Sequence, residues 1–317
     1  CILSTDLLIG DIMKRKLAAL AAISLTSLGL AACSSGSEAT APTDDPGEKG
    51  FDVSTIKADP AVEKLVPADI KKAGVLKNGA SVDYAPAEYM KADNKTPTGY
   101  DVDMVKAIAK VMGLKDGTTT HGEFDSLIPQ IGTKYDIGVS GFSITKEREA
   151  ETQMVSYAEL GFSYGVAKDN PKKFDPKNPC GKTVGVQTGT AQQETIKEIS
   201  KQCEADGKPA VTVKEHKMQT EIVPKVTGGQ YDAVLADSPV VGYAVKMSGG
   251  ELEIVGKAFE TAQHGVVVNK DNEQLAKAVQ AALQKLMDDG TLEKIFALYG
   301  ADSFILEKAE INPKVSE

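Results

Sequence analysis

Two stretches of the chain are built alike, and that duplication constrains the fold more than any other feature. Residues 126–141 read "SLIPQIGTKYDIGVSG" and residues 221–237 read "EIVPKVTGGQYDAVLAD". Each is a short apolar helical segment carrying a proline, then a glycine-containing turn, then Tyr-Asp, then a strand of small apolar residues. The second has one extra residue in its turn. Near-continuous apolar strands such as "IGVS" and "AVLA" suit a parallel sheet covered on both faces. The same order of elements in both halves predicts two similar lobes.

The flanking pattern extends that reading. "GYDVDMVKAIAKVMG" has helical spacing through Val105, Ile108, Ala109 and Met112, with Asp101 expected as N-cap and Gly113 closing the helix. In the second half, "KTVGVQTG" reads as a strand running into a glycine turn and then a helix to Cys203. "EQLAKAVQAALQKLMDDG" and "LEKIFALYG" read as two amphipathic helices. Strands alternating with helices predict α/β architecture with largely parallel sheets. Sheets of this kind bind ligands at the carboxyl ends of their strands. Three loops therefore matter: "FSITKER" after "IGVSG", "TGTAQQ" after "VGVQ", and "DSPV" after "AVLA".

Thr188, Gly189 and Thr190 sit where a strand turns into a helix, and exposed first-turn N–H groups favour an anion. Taken alone, helix capping by Thr190 is the simpler account of them. Ser140, Gly141 and Ser143 offer hydroxyls and a closely approachable backbone. Arg148 falls in the first turn of a helix capped by Thr145, an unfavourable place for a cation unless a partner compensates. A carboxylate held by the guanidinium fork would be such a partner. Asp237, at a strand end, can accept from an ammonium group or cap a helix. Tyr84 and Phe124 can wall an apolar slot or lie in the core. An anion site, a cation site and aromatic walls together match a zwitterion, and a free amino acid fits.

In that order, "DYAPAEYM", "GYDVDMVKAIAK", "FDSLIPQI", "YDIGVSGFSITKERE", "VGVQTGTAQQ", "YDAVLADSPV" and "ALYG" make residues 66–303 resemble the amino-acid-binding solute receptors of ABC importers, solute-binding protein family 3. The resemblance implies a type II periplasmic-binding-protein-like fold. Two α/β lobes would be joined by a two-segment hinge, near "LGFSYGVAK" and "TAQHGVVVNK", with the ligand cleft between them. Residues 63–162 and 262–312 would form one lobe, 163–261 the other, and 313–317 a tail. Arg148 would grip the ligand's α-carboxylate with the backbone at Ser143 and Thr190. Asp237 would take the α-ammonium with Ser143 and the Gly141 carbonyl. Tyr84 and Phe124 would flank the side chain, Ser81, Gln187 and Gln192 would tune its pocket, and Ser140 and Gly189 would complete the lining.

The resemblance also implies a monomer with no cofactor and no metal, which hands its cargo to the transmembrane subunits of an ABC permease. No P-loop is present, so energy comes from another subunit. The chain departs from the family at Ala87, often an aromatic there, and at Ser81, where receptors for basic amino acids carry an acid. With no extra basic residue for a second carboxylate, a polar uncharged ligand such as glutamine is expected. A dehydratase acting on cyclohexadienyl acids is the alternative on the same fold. Its only named proton donors are Glu88 and Glu123, both expected to face solvent. A lipoprotein presenting ligand to a separate sensor is a further alternative.

The N-terminal region carries a different signal. From Met13 the chain reads "MKRKLAALAAISLTSLGLAAC": basic residues, an apolar run over 17–30, then small residues before Cys33. The run is too short for a comfortable permanent span. Residues 13–32 read as a lipoprotein signal peptide and Cys33 as the lipidated residue, carrying acyl chains such as palmitate. Residues 1–12 are expected to lie upstream of the natural start. Residues 33–62, Ser-, Gly-, Pro- and acid-rich at first, are expected to be a flexible tether. The folded part is thereby placed on the extracytoplasmic face of a bacterial membrane. In that oxidising setting Cys180 and Cys203 favour a disulfide, with free thiols or a metal as alternatives. Without a nearby histidine the pair makes a poor zinc site. A net charge of −9 with no basic stripe argues against nucleic acid.

Overall fold

The computed structural model describes residues 45–315. The expected signal peptide, the lipidation residue Cys33, residues 1–12, the first part of the tether and the last two residues of the tail lie outside the described residues. From residue 45 to 62 the expected flexible tether is corrected, because this stretch is folded. Helix α1 (Pro46–Lys49) and a 3-10 turn lead to α2 (Pro60–Leu65). Phe51, Val53 and Ile56 pack against the core and hold the segment down.

After α3 (Ala68–Ala73) comes β1 (Val75–Ala80), then three short strands, β2 (Asp83–Tyr84), β3 (Glu88–Met90) and β4 (Pro97–Thr98). Helix α4 (Tyr100–Val111) leads into β5 (Asp116–His121), followed by α5 (Phe124–Leu127), β6 (Ile137–Gly138) and α6 (Lys146–Glu151). The long strand β7 (Thr152–Ala167) runs towards β8 (Thr183–Gln187), α7 (Ala191–Ala205) and β9 (Thr212–His216). Then follow α8 (Val223–Thr227), β10 (Ala233–Asp237), α9 (Ser238–Met247) and a second long strand, β11 (Leu252–Asn269). Helices α10 (Glu273–Asp288) and α11 (Thr291–Leu298) come last.

Eight strands form one sheet in the order β5-β1-β6-β11-β7-β10-β8-β9, and β2, β3 and β4 form a small antiparallel one. As the apolar runs predict, β1 is parallel to β5 and β6, and β8 is parallel to β9 and β10. The two parallel groups are joined by β7 and β11, which run antiparallel to each other. At one end β11 meets β6 through Val267 and Val268; at the other, β7 meets β10 through Phe162 to Gly165. Between these ends the β7–β11 register slips near Phe259, Ala262 and His264. Slips of that kind bend and twist a ribbon. The two-lobed α/β fold follows from this: each lobe has its own parallel group, and two long strands connect them.

Each group has its own core. Leu76, Met104, Ile108, Val279, Leu283 and Phe296 belong to one, and Phe162, Tyr164, Val184, Val186, Ile196 and Cys203 to the other. Cys180 and Cys203 are bridged, fastening the start of β8 to the end of α7. Closing a loop of that length contributes about 3 kcal/mol. One expectation fails here: Gly99, not Asp101, stands at the N-cap of α4. A side chain at position 99 would collide with the Ala87 backbone, so only glycine fits there, and the helix starts at Tyr100, two residues earlier than an Asp101 cap would place it. Asp101 is instead buried inside the first turn. Among the described residues no helix is long and apolar enough to cross a membrane.

Candidate functional site

The loop after β6 presents Arg148. Thr145 caps α6, its Oγ1 accepting from the Arg148 N–H at 3.3 Å, which fixes the arginine at the start of the helix. The guanidinium donates from Nη1 to the Ser143 carbonyl at 2.7 Å and from Nη2 to the Gly189 carbonyl at 3.1 Å. It lies 5.6 Å from the ring of Phe124 and 5.4 Å from that of Phe142, and the two rings stack with centroids 4.7 Å apart. Burial lowers its pKa to about 10, so it stays charged at neutral pH. A guanidinium has more donors than these carbonyls occupy. The remainder can serve an external carboxylate.

Asp237 closes β10 and is buried. It stands at the N-cap of α9 but makes no capping bond; its carboxylate is turned to other partners. Oδ2 accepts from the Tyr84 hydroxyl at 3.0 Å and Oδ1 from Gln192 Nε2 at 2.8 Å. Burial pushes its pKa up to about 7, against the opposing pull of the Tyr84 hydrogen bond and the Arg148 charge. His264 Nε2 lies 3.6 Å from Asp237 Oδ1 and 3.4 Å from Ser143 Oγ. Burial drives that imidazole down to about 3, so it is neutral and cannot balance the carboxylate. A buried carboxylate with no salt-bridged lysine or arginine can accept from an ammonium group.

Two further carboxyl groups hold the floor. Ser140 Oγ donates to Glu88 Oε1 at 2.6 Å and accepts from the Ser81 N–H at 2.9 Å. Asp101 Oδ2 accepts from the Gly141 N–H at 3.0 Å and from the Tyr157 hydroxyl at 3.1 Å. Burial, then the neighbouring Asp101, pushes Glu88 well above the carboxylate range, and burial raises Asp101 to about 7. Gly141 has φ +56, a left-handed conformation, and a side chain there would meet the Tyr84 ring. The expectation that Glu88 faces solvent is therefore corrected: its place in β3, beneath Ser140, buries it completely. Glu123 is exposed, as expected, and pairs with Lys217 at 3.2 Å.

Thr190 is engaged as a cap. Its Oγ1 accepts from the Gln193 N–H at 3.1 Å and donates to the Gln187 carbonyl at 2.7 Å. Beside it, Gln187 Nε2 donates to Ser81 Oγ at 3.1 Å, and Ser81 Oγ donates to Asp83 Oδ1 at 2.6 Å. Asp83 Oδ2 accepts from the Gln219 N–H, and burial raises the Asp83 pKa. The structure thus brings Tyr84, Gly141, Ser143, Gln192 and Asp237 together, with Arg148 joined through Ser143, and sets Ser81 and Gln187 in an adjoining cluster. It does not pair Tyr84 with Phe124: Tyr84 turns to Asp237, while Phe124 stacks on Phe142 and Arg148. Phe142, Asp83, Asp101 and His264 were not anticipated. Phe142 and His264 had a signal, an apolar residue between loop serines and a histidine opening an apolar run.

The family model for bacterial extracellular solute-binding proteins, family 3, matches residues 76–302. The arginine-binding protein ArgT of Corynebacterium glutamicum is 33% identical over 304 residues, covering 95% of this chain and 97% of that one. Among solved structures, an ancestral arginine-binding protein bound to arginine has a TM-score of 0.65 at 29% identity, covering 72% of this chain and 98% of its own. The ancestral amino acid-binding protein AncCDT-1, a precursor of cyclohexadienyl dehydratase, also has a TM-score of 0.65, at 28% identity, covering 73% and 97%. With the loops after β6, β8 and β10 meeting at one polar cluster, the chain belongs to the bacterial extracellular solute-binding proteins of family 3, the amino-acid receptors of ABC importers.

Proposed function

We propose that this receptor captures a free L-amino acid by closing its lobes, residues 63–162 with 262–312 and residues 163–261, and delivers it to an ABC permease. The observation that carries the reading is the pairing of Arg148, which has donors to spare, with Asp237, a buried carboxylate whose pKa burial raises to about 7 in spite of the Arg148 charge. Arg148 takes the α-carboxylate and Asp237 the α-ammonium. Ser143, Gly141 and Gln192 assist, and the N–H groups opening α7 face the carboxylate. Each charge-assisted bond contributes about 1.5–3 kcal/mol. The protein works as a monomer, anchored through lipid on Cys33 at the extracytoplasmic face, and binds without catalysis. Incubation with prephenate or arogenate is expected to yield no aromatic product.

Two side-chain readings have support. Ser81 and Gln187 offer uncharged hydrogen-bonding groups and fit glutamine. Asp83, two residues from Ser81, adds a buried carboxylate to that cluster and fits a cationic side chain. The relative named for arginine favours the second. Arginine is therefore the first ligand to test and glutamine the next. Thermal unfolding against each proteinogenic amino acid decides: a ligand at a thousand times its dissociation constant adds about 4 kcal/mol, a rise of roughly 10 °C in a chain of this size. No rise with any amino acid would contradict the proposal.

A further inference from the structure

The segment leading into α1 touches both proposed lobes. Asp45 Oδ1 accepts from the Tyr89 hydroxyl at 2.5 Å and from the Gly47 N–H at 3.0 Å, while Oδ2 accepts from the Tyr243 hydroxyl at 3.2 Å. Tyr89 belongs to β3 and Tyr243 to α9, so one carboxylate spans the two lobes. The rings of the two tyrosines lie 5.7 Å apart, tilted by 48°.

The attachment is unequal. On the first lobe, Thr98 Oγ1 donates to the Gly47 carbonyl at 2.7 Å, Lys91 Nζ to the Glu48 carbonyl at 2.8 Å, and the Ala92 N–H to Glu48 Oε1 at 2.7 Å. The Phe51 N–H donates to Asp103 Oδ2 at 2.7 Å. Gly47 is pressed so closely on Tyr89 and Thr98 that no side chain fits there. Towards the second lobe the segment makes the single bond to Tyr243, and Pro46 shares with Tyr243 and Lys246 the wall of a cavity of about 360 Å³. A strap fixed firmly on one body and by one breakable bond on the other favours the arrangement in which that bond exists.

We propose that residues 45–51 are a clasp that holds the lobes closed over bound ligand, with Asp45 and Tyr243 as its positioning pair. The inference rests on the two-lobe receptor reading, since opening must carry Tyr243 away from Asp45. Neither residue touches the Arg148–Asp237 site, so the clasp acts on ligand retention and not on recognition.

The test compares the full protein with Tyr243→Phe, Asp45→Asn and the double variant, timing release of radiolabelled L-arginine into unlabelled excess. Each single change is expected to speed release roughly three- to tenfold, the net worth of one ordinary hydrogen bond. The association rate should be unchanged, and the double variant no faster than the quicker single one. Release rates equal to wild type, or effects that multiply in the double variant, overturn the clasp. If the wild type fails to retain arginine, radiolabelled L-glutamine replaces it. If it retains neither, the amino acid that gives the largest rise in thermal unfolding replaces them; if none gives a rise, the amino-acid reading has failed, and small-angle scattering judges the clasp alone. A radius of gyration larger in both single variants than in the ligand-free wild type supports it, and equal radii overturn it.

Discussion

Asp136 and Asp232 make the same joint in opposite halves of the sheet. Asp136 Oδ2 accepts from the Lys77 N–H at 2.8 Å while its own N–H donates to the Lys77 carbonyl at 2.9 Å. Asp232 does the same with Thr183, at 2.7 and 2.8 Å. The tyrosine before each aspartate covers a glycine of the neighbouring strand, Tyr135 over Gly79 and Tyr231 over Gly185. Beyond the joints the halves part. The loop after β6 carries Arg148, and β10 ends in Asp237. A duplicated scaffold therefore brings two strand ends to one cleft, and the residues after each strand give those ends opposite charges.

The largest expected effect lies at the charged ends. Arg148→Ala and Asp237→Ala should each weaken amino-acid binding roughly a hundred- to a thousandfold, because each leaves the end of the ligand that it would pair buried and unpaired. Calorimetric titration measures both. If either variant loses less than about tenfold, the two ends are not equivalent partners of one zwitterion.

Next comes the feature that only one half has. Replacing both Cys180 and Cys203 by serine should cost about 3 kcal/mol in denaturant unfolding and leave ligand affinity unchanged in the folded protein. An affinity loss would mean that the bridge shapes the site as well as stabilising its lobe.

The joints themselves should respond alike. Gly79→Ala and Gly185→Ala each force a methyl group against packed side chains, Tyr135 in one case and Ile222 with Tyr231 in the other. Each should cost about 1–3 kcal/mol. A tolerated substitution at one position would show that the two joints are packed differently.

The smallest effect is the pH response of Asp237. Burial raises its folded pKa to about 7 from an ordinary 3.8. The stabilising effect of its proton on the ligand-free fold is complete below the unfolded value and is lost as pH rises through about 7. Unfolding curves of ligand-free wild type should therefore lose stability relative to Asp237→Asn over that interval. Binding of an ammonium needs the ionised form, so affinity should move the other way and fall as pH drops below 7. A flat difference between wild type and variant would show that Asp237 is not the group that titrates.

The scaffold was legible because its rules are local. Apolar runs gave parallel strands, and the repeated Tyr-Asp pattern gave two similar halves. Arg148 drew attention as a cation in a first turn, and Asp237 as a carboxylate at a strand end. Glu88 and Asp101 were not, since nothing in "EYM" or "GYD" says that the carboxyl groups meet Ser140 and Gly141 from below. Those contacts join residues 52 and 40 positions apart. His264 escaped for the same reason: its neighbours Ser143 and Asp237 come from the loop after β6 and the end of β10. The expected tether failed at residue 45 because composition averaged over the stretch hid the anchors Phe51, Val53 and Ile56.

The most direct measurement is a calorimetric titration with L-arginine, its methyl ester and its Nα-acetyl derivative, repeated with the glutamine series if arginine does not bind. The split between Arg148 and Asp237 predicts that the free amino acid binds and that masking either end weakens binding at least a hundredfold, about 2.7 kcal/mol. A masked derivative that binds within a few-fold of the free amino acid would contradict the claim that these two residues read a zwitterion.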